Sequence, residues 1–212
     1  MGGVLEHVSL PEAVSRTLRH RILNNELQAE TRLVEASLAA EFGVSRGTIR
    51  DAMRDLQAEG LIEIVPRRYS LVTRMSIEDA EDVCFVRYVL EDASFDRGFG
   101  PNHAELVEAL EAELERMSHA ARDDDLDSLV QSDTRFHELL VNVGGRRRLK
   151  DLWSVLNSQM GAVMRVEMER QDIDLFESVR RHLPILEAVR DRDITRLRRE
   201  LRDHYLANFP SR

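Results

Sequence analysis

The chain has 212 residues, of which 42% are hydrophobic, only 5% are aromatic and 33% are charged, with a formal net charge of −9. This length accommodates one large or two small domains, and the scarcity of aromatic residues favours aliphatic helix cores. There is no run of 18 apolar residues and no basic-apolar N-terminal signal, so we expect a soluble, cytoplasmic protein without a membrane segment. The single cysteine, Cys84, excludes an internal disulfide, and we expect it to be a small buried apolar residue.

The acidic charge is confined to one part of the chain. Residues 1–74 carry 10 arginines and 10 acidic residues, whereas residues 75–212 carry 20 basic and 29 acidic residues. A neutral module with local arginine clusters can still bind phosphates, because counterion release depends on local contacts rather than on the net charge of the whole protein. The asymmetry predicts two domains, residues 1–74 and 75–212.

The first recognisable motif is a pair of short helices joined by a glycine turn. Gly43 ends the first helix, since glycine readily adopts the left-handed conformation at a helix C-terminus. Ser45 can cap the second helix, whose apolar stripe is formed by Ile49, Ala52, Met53 and Leu56. Serine, arginine and threonine at the start of a second helix are typical of a helix-turn-helix protein that reads DNA. An ordinary helical hairpin with solvated arginines is the alternative.

The residues that follow favour the DNA-binding interpretation. Gly60 ends the second helix, and the alternation of Ile62, Ile64, Leu71 and Thr73 predicts two short strands around a turn at residues 66–68. A hairpin with arginines at its tip, directly after a recognition helix, is a wing. The candidate DNA-binding residues are Ser45, Arg46, Thr48, Arg50, Arg67 and Arg68.

From Ser76 onward the pattern is helical throughout. Apolar residues at helical spacing predict six helices in an antiparallel bundle, including one long fourth helix that carries Leu149, Leu152, Leu156, Met160 and Val163. About 135 residues are enough to bury a core of their own. The predicted fold is therefore mainly α, with an N-terminal winged helix-turn-helix and an all-α C-terminal domain.

Four polar residues stand on otherwise apolar faces of this bundle. Asp133 and His137 are four residues apart, hence on one helical face, while His182 and His204 lie beside aliphatic residues of two later helices. Imidazole nitrogens and a carboxylate oxygen suit a divalent transition metal. Spacing alone leaves open three unrelated core histidines, each hydrogen-bonded to a neighbour.

The chain resembles the GntR-type transcription regulators of the FadR-like subgroup, whose C-terminal half is an FCD effector domain. The resemblance rests on the Gly43–Arg46 and Ile49–Met53 segments, on Arg87–Glu91 as R-x-x-L-E, and on Asp133–His137 as D-x-x-F-H. It implies that Asp133, His137, His182 and His204 bind one divalent ion such as zinc, nickel or manganese. Two departures occur: residues 28–31 replace the family's Pro-Gly, so we expect a differently built turn, and Tyr69 follows Arg68 where the wing usually has glycine.

The resemblance also implies the function. We expect a metabolite-responsive regulator, more specifically a repressor, that binds a double-stranded DNA operator as a homodimer. A small carboxylate metabolite would enter the bundle, with Arg87 as the candidate partner of its carboxylate. The competing interpretation is a metal-dependent enzyme, but no H-E-x-x-H motif, phosphate loop or dinucleotide fingerprint accompanies the predicted ligands.

Overall fold

The computed structural model describes residues 9–23, 26–65, 68–157, 159–170, 175–207 and 209, without the side chains of residues 127, 165 and 168–170. The chain divides into two compact units. Residues 1–74 group with residues 159–165, and residues 75–158 group with residues 166–212. Among the described residues, no helix has the length and hydropathy that a bilayer crossing requires.

The first unit is a helix-turn-helix. Helix α1 (Leu10–Leu23) precedes α2 (Glu35–Phe42) and α3 (Arg46–Ala58). Gly43 takes a left-handed conformation at φ 64° and ends α2, while the Ser45 side chain accepts a hydrogen bond from the backbone N–H of Thr48 and begins α3. The predicted apolar stripe of α3 is buried, with Ile49, Ala52, Met53 and Leu56 all at most 1% exposed.

The wing is a small antiparallel sheet with the strand order β1-β3-β2. The predicted strands are β2 (Ile62–Val65) and β3 (Tyr69–Val72), paired from Ile62–Val72 to Val65–Tyr69. A third strand, β1 (Arg32–Leu33), pairs with the other edge of β3. The sequence did not predict β1, because two residues are too few to establish an alternating pattern.

The turn before β1 differs from our expectation in an informative way. Residues 28–31 lack glycine, yet Glu30 adopts a left-handed backbone conformation with φ 65°. Its N–H donates to the carbonyl of Val72 at 2.9 Å, which ties the turn to the wing. The left-handed backbone conformation of Glu30 costs about 1–2 kcal/mol, because Glu30, unlike glycine, has a Cβ atom.

The second unit is entirely helical in the described residues. Its helices are α4 (Ile77–Ser94), α5 (His103–Arg122), α6 (Leu126–Asn142), α7 (Arg147–Asn157), α8 (Met160–Arg170), α9 (Leu175–Arg190) and α10 (Ile194–Leu206), the first residues of α8 falling in the first unit. The predicted long fourth helix is therefore two helices, α7 and α8, with a turn at Gln159. The mainly helical fold class, with a winged helix-turn-helix followed by a helical domain, is confirmed.

An aliphatic core joins α5, α6, α9 and α10. Its fully buried members include Leu110, Phe136, Leu140, Ile185 and Leu201, and burying each such side chain contributes roughly 1.5–3 kcal/mol. Cys84 is also buried, as predicted, and burial raises the pKa of its thiol to about 12. Five polar side chains among the described residues of this unit are nevertheless buried to 1% exposure or less: Arg87, Glu91, Ser94, His137 and His182. Burial on this scale requires polar partners.

Candidate metal centre and nucleic-acid interface

The first turns of α3 present polar side chains to solvent. Ser45, Arg46 and Arg50 are exposed, and Thr48 is half-buried. The Ser45 hydroxyl oxygen accepts the Thr48 N–H at 3.0 Å and lies 2.9 Å from the Thr48 hydroxyl. This capping orders the end of the helix that carries the predicted base and phosphate contacts.

Arg50 is held by a carboxylate from the preceding helix. Its Nε and Nη2 donate to the two carboxylate oxygens of Glu35 at 3.1 and 2.8 Å. The hydrogen bond from Arg50 lowers the pKa of Glu35 and outweighs the opposing effect of burial. These two bonds use one edge of the planar guanidinium and leave the Nη1–Nη2 edge for another acceptor.

The described part of the wing places Arg68 in solvent. Its backbone carbonyl accepts a hydrogen bond from Nη2 of Arg32 on β1 at 3.2 Å. Arg32 was not among the predicted DNA-binding residues, because nothing in the sequence marks β1. Arg67, which was among them, lies outside the described residues, and its role stays a prediction.

The three predicted histidine ligands come together from three helices, and Asp133 contacts one of them. Asp133 and His137 lie on α6, His182 on α9 and His204 on α10. The Nε2 atom of His137 is 3.1 Å from Nε2 of His204 and 3.2 Å from Nε2 of His182. The Oδ1 atom of Asp133, whose side chain is 19% exposed, is 3.1 Å from Nε2 of His182. We refer to His137, His182 and His204 as the histidine cluster, which could hold a metal ion.

For two of the three rings, His137 and His182, a hydrogen bond on the far side determines which nitrogen faces the cluster centre. Nδ1 of His182 donates to the backbone carbonyl of Ser178 at 2.8 Å, and Nδ1 of His137 lies 2.8 Å from the carboxylate of Glu91. In a neutral imidazole only one nitrogen carries a hydrogen. The Nε2 lone pairs of these two rings therefore face each other.

Glu91 on α4 is a buried acceptor that the sequence did not single out as functional. Its Oε1 accepts hydrogen bonds from Nε1–H of Trp153 at 2.8 Å and from the hydroxyl of Tyr205 at 2.6 Å, while Oε2 faces His137. These partners are 46 to 114 residues away in sequence. The one local signal is that Glu91 follows Arg87 by a single helical turn.

Arg87 is 1% exposed, so the prediction that it faces inward is confirmed. Its Nη1 donates to Oδ1 of Asn157 at 2.8 Å, its Nε donates to the Tyr205 hydroxyl at 3.2 Å, and its guanidinium lies 4.5 Å from the centre of the Trp153 ring. The Nη2 group has no hydrogen-bond partner among the described residues and lies 3.9 Å from Glu91. The buried guanidinium of Arg87 therefore has N–H groups on Nη2 that no described residue accepts.

The electrostatics of this region favour anionic carboxylates and a neutral His204 imidazole. Burial raises the pKa of Asp133, but its contact with His182 and the nearby charges outweigh this effect and hold that pKa below its usual range. Burial also raises the pKa of Glu91, but His137, Arg87 and Tyr205 together outweigh it and lower that pKa. Burial and the neighbouring imidazoles lower the pKa of His204. Deprotonated carboxylates and neutral imidazoles are the forms that bind metals.

Comparison with known proteins identifies both units. Residues 10–72 match the bacterial regulatory proteins of the gntR family, and residues 82–207 match the FCD domain.

Among curated proteins, the chain is 28% identical over 195 residues to the HTH-type transcriptional repressor RspR of Escherichia coli (strain K12), covering 91% of this chain and 84% of the relative. It is 27% identical over 193 residues to the gluconate operon transcriptional repressor of Bacillus subtilis (strain 168), covering 89% of this chain and 79% of the relative.

Solved structures share the fold at lower sequence identity. The Escherichia coli McbR/YncC structure matches with a TM-score of 0.64 at 20% identity, covering 95% of this chain and 96% of the other. A putative GntR regulator from Rhodococcus sp. RHA1 matches with a TM-score of 0.63 at 22% identity, covering 93% and 94%. The chain therefore belongs to the GntR family of bacterial transcription regulators, with a helix-turn-helix domain followed by an FCD domain.

Proposed function

We propose that this regulator is a metabolite-responsive repressor that binds its operator as a homodimer in the cytoplasm. We further propose that its FCD domain holds a divalent metal ion at Asp133, His137, His182 and His204. The convergence of three Nε2 atoms is the observation that carries the proposal. The two curated relatives described above are both named as repressors, which favours repression over activation.

The donor set fits a divalent transition metal. Ligand nitrogens about 2.0–2.1 Å from one ion are about 2.9–3.4 Å from each other, depending on the coordination geometry. The observed Nε2–Nε2 separations of 3.1 and 3.2 Å fall in this range. The facing lone pairs of His137 and His182 repel at this distance unless a positive centre lies between them, and one divalent ion would compensate these two rings, His204 and Asp133 together. Three imidazoles and a carboxylate suit zinc, nickel or manganese.

Arg87 supports a carboxylate as the effector. A buried guanidinium with an unused Nη2 donor is costly, and a ligand carboxylate is the anionic acceptor that would complete it. A bound divalent ion would supply a second positive centre for the same anion. We assign Arg87 to effector recognition and the metal ligands to the other part of the same site.

For the DNA-binding unit, we propose base and phosphate contacts from Ser45, Arg46, Thr48 and Arg50, with Arg67 and Arg68 reaching the neighbouring groove from the wing. Two such units in a dimer would occupy two half-sites of an inverted-repeat operator. A small carboxylate that binds one dimer conformation more tightly would shift the equilibrium between DNA-bound and free protein.

Operator release tests the proposal. A duplex selected by the protein from random DNA would be labelled, and its fluorescence anisotropy followed while small organic acids, gluconate first among them, are added to zinc-loaded protein. We expect a carboxylate to release wild-type protein, and Arg87→Gln to require at least ten times more of it. Arg135→Gln, which removes a half-exposed arginine of α6, is the matched control and should respond as wild type does.

The same samples distinguish the competing functions. Proton NMR of the added acids after incubation reports turnover. Release without turnover supports the sensor, and turnover of an acid supports a metal-dependent enzyme instead. If the acids tested cause no operator release and are not turned over, the metal has only a structural role and the proposed effector site is contradicted.

A further inference from the structure

The proton on every hydrogen bond around Glu91 can be assigned. The indole nitrogen of Trp153 can only donate, and the Tyr205 hydroxyl accepts from Nε–H of Arg87 and donates its single hydrogen to Oε1 of Glu91. The Glu91 carboxylate has no hydrogen to give. Nδ1 of His137, 2.8 Å from Oε2, must therefore be the donor in that contact.

We propose that Glu91 is a positioning residue that fixes the tautomer of His137. By accepting the Nδ1 hydrogen it leaves the Nε2 lone pair of His137 directed at the centre of the histidine cluster. This inference rests on the proposed metal site, and it names the residue that makes His137 competent to bind an ion.

The rotation of the carboxylate is also fixed. Trp153 on α7 and Tyr205 on α10 both occupy Oε1, so Oε2 is the oxygen that remains for His137 on α6. Glu91 is 0% exposed, so neither oxygen faces bulk solvent. The Tyr205 hydroxyl lies 3.1 Å from Nδ1 of His137, but its hydrogen is used at Oε1. Tyr205 therefore cannot force the opposite tautomer.

Glu91→Gln gives a specific expectation, because an amide is not symmetric. Trp153 and Tyr205 require an acceptor at their position, so the amide oxygen would remain there and the NH₂ group would face His137. Nδ1 would then have to accept, and the ring hydrogen would move to Nε2, where it blocks the metal-binding lone pair. Loss of an outer hydrogen bond of this kind typically weakens metal binding 10–100-fold.

Two measurements test the role. Long-range ¹H–¹⁵N correlation spectra of the histidine rings in metal-free protein, with the His137 signals assigned from their loss in His137→Ala, report the tautomer directly. Competition with a chromogenic chelator reports zinc affinity. We expect the Nδ1–H tautomer in wild type, the Nε2–H tautomer in Glu91→Gln, and zinc affinity lower by 10–100-fold in that variant.

Two controls separate positioning from a general disturbance. The His182 ring is held by the carbonyl of Ser178, so its tautomer should be unchanged in Glu91→Gln. Tyr205→Phe removes one donor to Oε1 but leaves Oε2 facing His137. That variant should keep the wild-type tautomer and bind zinc within a few-fold of wild type.

The outcomes are distinct. If wild-type protein binds neither zinc, nickel nor manganese, the proposed metal site fails. If wild type binds zinc and Glu91→Gln keeps both its affinity and the His137 tautomer, the metal site stands and the role of Glu91 is refuted. An Nε2–H tautomer of His137 in metal-free wild type also refutes it, and this readout does not require the variant to fold.

Discussion

Arg50, in the second turn of α3, donates two hydrogen bonds to the carboxylate of Glu35, the first residue of α2. The pair lies at the surface, with side-chain exposures of 54% for Arg50 and 36% for Glu35, so its contribution to stability is small. Its consequence is geometric. Glu35 restricts the Arg50 guanidinium to one orientation and leaves the Nη1–Nη2 edge for a guanine edge or a phosphate.

DNA binding should therefore depend on Arg46 and Arg50. We expect Arg46→Ala and Arg50→Ala each to weaken operator binding by roughly 1–3 kcal/mol, because each removes a charged contact from the start of α3. Fluorescence anisotropy with a labelled operator measures the loss. Arg122→Ala, which removes an exposed arginine at the end of α5, controls for the change in net charge. Wild-type affinity in both α3 variants would show that the recognition helix is wrongly assigned.

The oligomeric state follows from the demands of operator recognition. A single DNA-binding domain of this size makes too few contacts to select its operator from the many nonspecific sites of a genome. Two linked domains bind two half-sites and so double the contacts. We expect a homodimer at micromolar concentration, with twice the 24.4 kDa mass of one chain. Analytical ultracentrifugation of the free protein and of its operator complex checks this. One chain per operator in the complex would contradict the prediction.

A bound ion should stabilise the fold, because its ligands come from α6, α9 and α10. At a free ion concentration 100 times the dissociation constant, binding adds about 2.7 kcal/mol, or roughly 5–10 °C in Tm for a chain of this size. We expect chelation to lower the Tm of wild type by this amount and to leave the Tm of His182→Ala unchanged.

The control for this experiment is His119→Ala. His119 is an exposed histidine of α5 with a 60% exposed side chain, so that variant should keep the full difference between metal-loaded and metal-free protein. Identical melting of loaded and chelated wild type, measured by calorimetry, would speak against a shared ion.

The left-handed Glu30 provides a test within the DNA-binding unit. Glu30→Gly should relieve backbone strain and raise stability by about 1 kcal/mol, because glycine lacks the side chain that disfavours φ 65°. Glu30→Ala retains a Cβ atom and should bring no such gain, so the pair separates strain from the loss of the carboxylate. Chemical denaturation of the two variants measures the difference, and equal stability would argue against strain at this turn.

The elements that could be predicted from the sequence are those with local determinants. Gly43, Ser45 and the buried face of α3 specify the helix-turn-helix within about 20 residues, and the alternation of Ile62 and Ile64 specifies a strand of the wing. The break between α7 and α8 could not be predicted, because apolar spacing continues from Leu149 to Val163 across it.

The candidate site also has one part with local determinants and another that depends on tertiary packing. Asp133 and His137 form a local pair on one helical face, but their convergence with His182 and His204 is a property of the tertiary packing. Periodicity cannot reveal it, and only resemblance to a family indicated it. Glu91 belongs to the R-x-x-L-E motif, but neither approach assigned it a role, because that role depends on Trp153 and Tyr205, which packing alone brings together.

Metal stoichiometry tests the central claim most directly. Chelator-treated protein would be incubated separately with zinc, nickel and manganese, freed of excess ion by gel filtration, and measured by inductively coupled plasma mass spectrometry. We expect close to one ion per chain for at least one of these metals, its loss in His137→Ala, and its retention in His119→Ala. Wild-type protein that retains none of the three metals, or a His137→Ala variant that retains a full complement, would contradict a metal centre at the histidine cluster.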